Sequence, residues 1–410
     1  MTRATPRERA RSRASAALLS ALVIALLVPT CVLFVNAWGN VQDRRAATER
    51  EADGLTYLRP LNGVLLALAD AQSAAVDGRP IQTDQLTSAI QQAAAVDERI
   101  GDRLATHERW TELRSKIEGL QVNKPTSPKA ALDSYTALGN LIVGLYAKVR
   151  DRSGLVHDPD DDAFHLQEAV AAELPHAVIA AGTVADLVVV VQSLTTAVDT
   201  GQLPPGTTAA QVRQLIGLLS VQTQTARAVL ADSARDLVDG LRAAVDATQI
   251  RTLGGNLLSR LDRFQRTADR IASTASIAPG TPLADRSIVP IARAEMRAAA
   301  SDLATTILSE VDGLLQKRLD AIDRDRLIIT GSAGAAILLA VCALIVLIVS
   351  SRRRRPDPLV EPTISTPAAP YRAARALPTE DQRWGPDVAV SPYQEGPEAI
   401  SRWERSGAAQ

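Results

Sequence analysis

Two charge-free apolar segments constrain this chain more than any other feature. The first runs from about Ala16 to Trp38 and the second from about Leu327 to Ser350. Each meets the length of about 20 residues that a helix needs to cross a bilayer, and no third charge-free segment of that length is present. Arg3, Arg7, Arg9, Arg11 and Arg13 precede the first segment, and Arg352, Arg353, Arg354 and Arg355 follow the second. Positive residues are retained on the cytoplasmic side. The expected topology is therefore a basic cytoplasmic N-terminus (1–15), a transmembrane helix (16–38), one extracytoplasmic domain (39–326), a second transmembrane helix (327–350) and a cytoplasmic tail (351–410). This is a multi-pass arrangement with both termini inside, at a bacterial inner membrane. A cleaved signal peptide is the rival reading of the first segment, with Val35-Asn36-Ala37 as the cleavage site. The apolar run exceeds the roughly 7–15 residues of a signal-peptide core, which favours an uncleaved anchor.

Between the segments the chain reads as helix after helix. Apolar residues recur at three- and four-residue steps, as in Leu58, Leu61, Leu65 and Leu68 or Leu138, Leu141, Ile142 and Leu145. Breaks at Gly78-Pro80, "NKPTSPK", "GQLPPGTT" and "APGTP" delimit helices of about 41–76, 84–122, 129–155, 163–198 and 209–275. A bend is expected near Pro175 and a division at Gly254-Gly255. The last helix starts near Val289 and meets no breaker before the second apolar segment, so a continuous rod into the membrane is expected. No stretch alternates like a strand. The fold class is all-α: an elongated helical bundle, one tall or two stacked four-helix modules. Aromatic residues make up only 3% of the chain, as suits closely spaced helices with small and aliphatic seams. Cys31 and Cys342 both fall inside the apolar segments, so no disulfide framework holds the domain. Net charge is −1, which gives no basic field to attract nucleic acid.

The stretch His157–Leu166, "HDPDDDAFHL", concentrates four carboxylates and two histidines. An Asp cap, Pro at the first helical position and acids in the first turn make a strong helix start. A divalent-cation or ligand contact through Asp158, Asp160, Asp162, His157 or His165 is the competing reading, but the spacing is not that of an EF-hand loop. No metal site is assigned. Arg150 and Arg152, just upstream, either pair with these acids or bind an anion beside the helix start. His107 and His176 join no pattern and read as surface or packing residues. No phosphate-binding loop, nucleophile elbow or zinc motif is present. The expectation is no enzyme and no cofactor.

The run "DPDDDAFHLQEAV…LP", with "ERWTEL" and "LIVGLYAKVRDRSGLVHDPDDD" upstream, resembles the "DPDxDSYYLMDAVxxxLP" pattern of extracytoplasmic helical sensor regions. Such regions occur in bacterial methyl-accepting chemotaxis proteins, sensor kinases and diguanylate cyclases. The likeness covers about residues 108–178. It implies a ligand-sensing bundle and a homodimer, with Arg150, Arg152, His157, Asp158, Asp160, Asp162, Phe164 and His165 as the ligand-binding candidates. The aromatic pair of that pattern is replaced here by Ala163 and Phe164, and none of its usual output domains follows the second apolar segment. The tail instead has a disordered, Pro-rich composition, with Tyr371, Trp384, Tyr393 and Trp403 as possible anchors for a cytoplasmic protein partner. The expected function is a sensor-like membrane receptor or accessory signalling subunit for an unidentified small extracytoplasmic ligand. The alternative is an envelope scaffold that binds another protein.

Overall fold

The computed structural model describes residues 6–155, 161–247, 251–275 and 287–353. All elements among them are helical. In chain order they are α1 (Pro6–Val76), α2 (Thr83–Leu104), α3 (His107–Val122), α4 (Pro128–Ser153), α5 (Asp161–Glu168), a π-helical turn (Ala169–Glu173), α6 (Leu174–Thr200), α7 (Ala209–Ala247), α8 (Arg251–Thr274) and α9 (Ile288–Arg353). The chain divides into two units, 1–350 and 351–410. Of the second, only the end of α9 belongs to the described residues, so the tail and its four aromatics lie outside them, as do residues 1–5.

The long helices are longer than the periodicity alone predicts. α1 passes without interruption from the first apolar segment to Val76, through both Pro29 and Pro60. α9 does the same from Ile288 to Arg353, as the absence of a breaker predicts. The two lie antiparallel, with charged pairs that descend both helices in step. Arg45 pairs with Asp323, Arg318 with Glu51 (3.0 Å), Arg59 with Asp312 (3.1 Å) and Arg297 with Asp70 (2.8 Å). Where the apolar segments begin, Arg326 lies over the Trp38 ring at 5.2 Å. α8 and α9 keep an equally regular antiparallel register through Arg263–Asp302 and Arg270–Glu295.

Two expectations need correction. The helix expected over 84–122 is two helices, because Ala105 adopts the left-handed conformation (φ 51°). No glycine or proline signals this break. A buried hydrogen-bond cluster holds it instead: Asp97 accepts from the Tyr57 hydroxyl (2.8 Å) and the Thr106 hydroxyl (2.9 Å), repaying the ~1–2 kcal/mol that a non-glycine residue spends there. The division expected at Gly254-Gly255 is also absent, since both glycines lie inside α8. Gly254 instead permits close packing: a Cβ there would stand 3.3 Å from Val245 of α7. A further apolar helix is not among the two charge-free segments. Ala163–Thr200 is also long and apolar enough to cross a membrane, and Asp186 and Glu173 within it defeat a search for charge-free runs. Its apolar part is mostly buried, as the central core helix of a folded domain is, whereas the apolar part of α9 has no buried residue. Two helices, this one and α9, therefore meet the length and composition test among the described residues. On α1, Val28, Val32, Leu33 and Val35 are exposed as well.

A π-helical turn over Ala169–Glu173 precedes Pro175, near the position where the sequence leads one to expect a bend. Proline lacks an amide proton and its ring crowds the carbonyl four residues back. A turn with i→i+5 bonding accommodates that crowding without ending the helix. α4 shows the complementary device at its ends: Ser127 accepts from the Ala130 amide (3.2 Å), Pro128 takes the first turn, and Gly154 closes the helix at φ 84°.

One apolar core runs through the unit, from Leu55 on α1 to Leu315 on α9, with α6 contributing Val184, Leu187 and Val188–Val191. Packing is tightest where α1 meets α4. A Cβ at Gly54 would come within 2.5 Å of Ser153, whereas one at Gly63 would meet Ala89 at an ordinary 4.0 Å. Gly54→Ala is therefore expected to destabilise the chain by about 1–3 kcal/mol through overpacking. Gly63→Ala should be neutral or stabilise by up to ~1 kcal/mol through helix propensity. Denaturant titration of the two variants in detergent checks the contrast.

Candidate functional site

The sequence-derived candidates fall around the start of α5. His157, Asp158 and Asp160 lie outside the described residues. The described part of α5 starts at Asp161 and includes Asp162. Phe164 is partly buried and meets the His165 ring edge-on at 5.4 Å. Arg150 donates to Glu168 (3.0 Å), joining α4 to α5, and Arg152 is exposed. Among the described residues, no group of three or more His, Cys, Asp or Glu is placed to hold a metal ion. Of the eight candidates, only Phe164 and His165 are in described contact with each other.

A different cluster, which the sequence reading missed, is better built. Asp186 sits midway along α6 with its side chain 1% exposed. It accepts from Gln72 of α1 (2.6 Å) and pairs with the Arg293 guanidinium of α9. Arg293 is itself 11% exposed, also donates to Ser73, and lies 3.8 Å from Asp77. Its Nε is buried with no hydrogen-bond partner. One charged pair thus joins α6 to both α1 and α9. Burial pushes the Asp186 carboxyl up from its ordinary 3.8 to about 6, against the pull of Arg293 and the Gln72 amide.

Arg293 forms the floor of a cleft of about 530 Å³ between the end of α1 and the start of α9. Arg79, Arg297, Gln82, Gln85 and Ser301 contribute to its walls. Behind it, and sharing Asp70, Ser73, Arg293 and Arg297, is a smaller compartment of about 60 Å³ walled by Leu66, Val178, Ile271 and Met296. The charges in and around the cleft are matched pairwise: Arg79 with Asp77 (2.8 Å), Arg297 with Asp70 (2.8 Å), Arg263 with Asp302 (2.8 Å) and Arg293 with Asp186. Burial also raises the Asp70 carboxyl, while Arg297 and Arg79 act against it.

The second polar cluster is the Asp97 group that breaks α2 from α3. His107, read as an unpatterned histidine, contacts Asp97 through Nδ1 at 2.8 Å while its side chain stays 67% exposed. Burial pushes the Tyr57 phenol up, so it remains a donor to Asp97. His176 is exposed. The only signal for the Asp186 cluster in the sequence is the aspartate standing next to "LVVVV", a charge that needs a partner once that run is buried. Nothing in the local pattern points to Arg293, 107 residues away.

No family model, curated protein or solved structure matches this chain.

Asp186 makes stability depend on pH in a definite direction. Its folded-state value lies above its unfolded value, so the folded chain binds the extra proton. Stability from this group is full below about pH 4 and is lost as pH rises through about 6. The loss amounts to roughly 3 kcal/mol. The stability of the native chain relative to Asp186→Asn should therefore fall by about that amount between pH 4 and pH 7. A difference that stays flat in denaturant titrations would show that Asp186 ionises freely. Arg293→Met leaves the carboxylate buried and unpaired, and should cost about 3–5 kcal/mol near pH 8. Adding Asp186→Asn to that variant should restore most of the loss.

Proposed function

We propose that the protein is a membrane-anchored, sensor-like receptor or accessory signalling subunit. Its helical core would be an extracytoplasmic bundle between two transmembrane helices, with both termini in the cytoplasm. The observation that carries this reading is α9. It begins in the folded core at Val289 and Ala292, which are buried, and continues unbroken into an exposed apolar stretch that includes Leu327, Ile337, Leu344 and Val349. In water such a surface has no partner, and a contiguous exposed apolar patch of this extent marks a membrane or protein contact. α1 offers a parallel case, with exposed Val28, Val32, Leu33 and Val35 ahead of Trp38. Trp38 and Arg326 meet where both stretches end, and aromatic and basic side chains favour the membrane–water boundary.

In this reading a small molecule or partner binds the outer bundle and favours one of two helix arrangements. α9 carries a shift or rotation through the bilayer. The arginines at 352–355 and the tail present it to a separate cytoplasmic protein. The sensor resemblance in residues 108–178 supports the same assignment and extends it to a homodimer.

Topology is the direct test. In intact cells, single cysteines introduced into the α6–α7 connection, near residue 205, should react with a thiol reagent that cannot cross the bilayer. Cysteines at residue 5 and residue 400 should react only after lysis. Labelling of residue 400 from outside contradicts the proposal.

A further inference from the structure

We infer that the cleft between α1 and α9 binds a short-chain aliphatic monocarboxylate, with its carboxylate on Arg293 and its alkyl chain in the smaller compartment behind, and that binding takes up one proton at Asp186. The inference deepens the receptor reading by assigning its ligand class and its site, which lies away from the candidates around α5.

Four features support it. Arg293 is the one guanidinium shared by the open cleft and the apolar compartment that also reaches the buried carboxylate, and its Nε has no hydrogen-bond partner. Arg forks match carboxylates in two-point contact; because Nε is shut off from solvent, a ligand carboxylate would meet the terminal nitrogens now held by Ser73 and Asp186. The cleft has room and further donors on its walls, in Arg79, Arg297, Gln82 and Gln85. The adjoining compartment, about 60 Å³, is mostly apolar, with Asp70, Asp186, Arg293 and Arg297 also in its lining. At the ~15 Å³ that one water requires, that is space for about four waters or a short alkyl chain.

The charge balance sets the coupling. With Asp186 ionised, every guanidinium in the cleft has a carboxylate, and an incoming anion would compete with Asp186 for Arg293. When Asp186 is neutral, the cleft carries one positive charge in excess, with Asp77 shared between Arg79 and Arg293. The groups that face Asp186 are Arg293 of α9, and Gln72 and Asp77 of α1; Asp77 adds repulsion that also favours the proton. An anion on Arg293 adds more of the same sign. Anion and proton therefore bind together, and the site responds to acidification as well as to the carboxylate.

The test is calorimetric titration of the full chain in detergent with butyrate, with acetate, octanoate and inorganic phosphate as comparisons. Butyrate is expected to bind in a one-to-one ratio and roughly tenfold more tightly for each unit of pH lowered from 8 towards 6, as one-proton linkage requires. Acetate should bind more weakly because it leaves the compartment unfilled, and octanoate because it exceeds it. Asp186→Asn should bind butyrate with little pH dependence. Arg79→Gln, an exposed position on the cleft wall that should not disturb folding, should weaken binding several-fold; Arg293→Gln, checked for helicity by circular dichroism, should abolish it. The inference is overturned if butyrate does not saturate, if its affinity is the same at pH 8 and pH 6, or if phosphate binds as well as butyrate. Because the titration uses purified protein, its failure leaves the topology result standing, and a failed topology leaves the titration interpretable.

Discussion

The antiparallel contact between α1 and α9 is the constraint on which the rest of the structure depends. These helices span 71 and 66 residues, too long for a compact ball, and each must bury one face along its length. The burial comes from apolar side chains: Leu303, Ile307, Val311 and Leu315 on α9 and Leu58, Leu61 and Val64 on α1 are inaccessible to solvent. The charged pairs beside them have another role. Exposed pairs such as Arg59–Asp312 are each worth little, about 0–1 kcal/mol. Together they specify register, because sliding one helix by two turns would separate every pair at once. The buried Asp186–Arg293 contact sharpens that choice. Displaced, it leaves two charges inside the core without partners, and breaking one such pair costs more than forming it returns.

The same contact links the folded core to the proposed membrane segments. Between Arg293 and its exposed apolar stretch α9 contains no proline and no break, whereas on α1 Pro60 falls within the corresponding interval. Arg293 lies near the start of α9, and Arg326 lies where its apolar stretch begins. They are separated by about 50 Å of unbroken helix at the usual rise. A rearrangement at Arg293 has a stiff element on which to act. The Asp97 cluster separates α2 from α3 and ties them to Tyr57 of α1, and the π-helical turn before Pro175 lies off α9.

Much of the architecture is legible in the residue pattern, and the limits are physical. The helices ending at Val76 and starting at Ile288 follow from three- and four-residue apolar spacing and from Gly-Pro punctuation, both of which are local. The break at Ala105 is not legible, because a tertiary hydrogen-bond cluster sustains a conformation that alanine does not prefer. Gly254 reads as a divider but acts as a contact point, a distinction that depends on Val245 being opposite. The third apolar helix is hidden by Asp186, whose charge becomes tolerable only through Arg293, far along the chain. The acidic run after His157 is conspicuous in sequence, and His157, Asp158 and Asp160 lie outside the described residues. The Asp186–Arg293 cluster is inconspicuous because its members come from three separate helices.

Cross-linking across the α1–α9 seam tests the central claim most directly. With Cys31 and Cys342 replaced by Ser, cysteine pairs would be introduced at positions 45 and 323, 51 and 318, and 59 and 312, and treated with a short bismaleimide in membranes. The account predicts rapid intramolecular cross-linking of all three pairs and little for the offset pair 45 and 316. Equal reaction of the offset pair, or products only between separate chains, would contradict it.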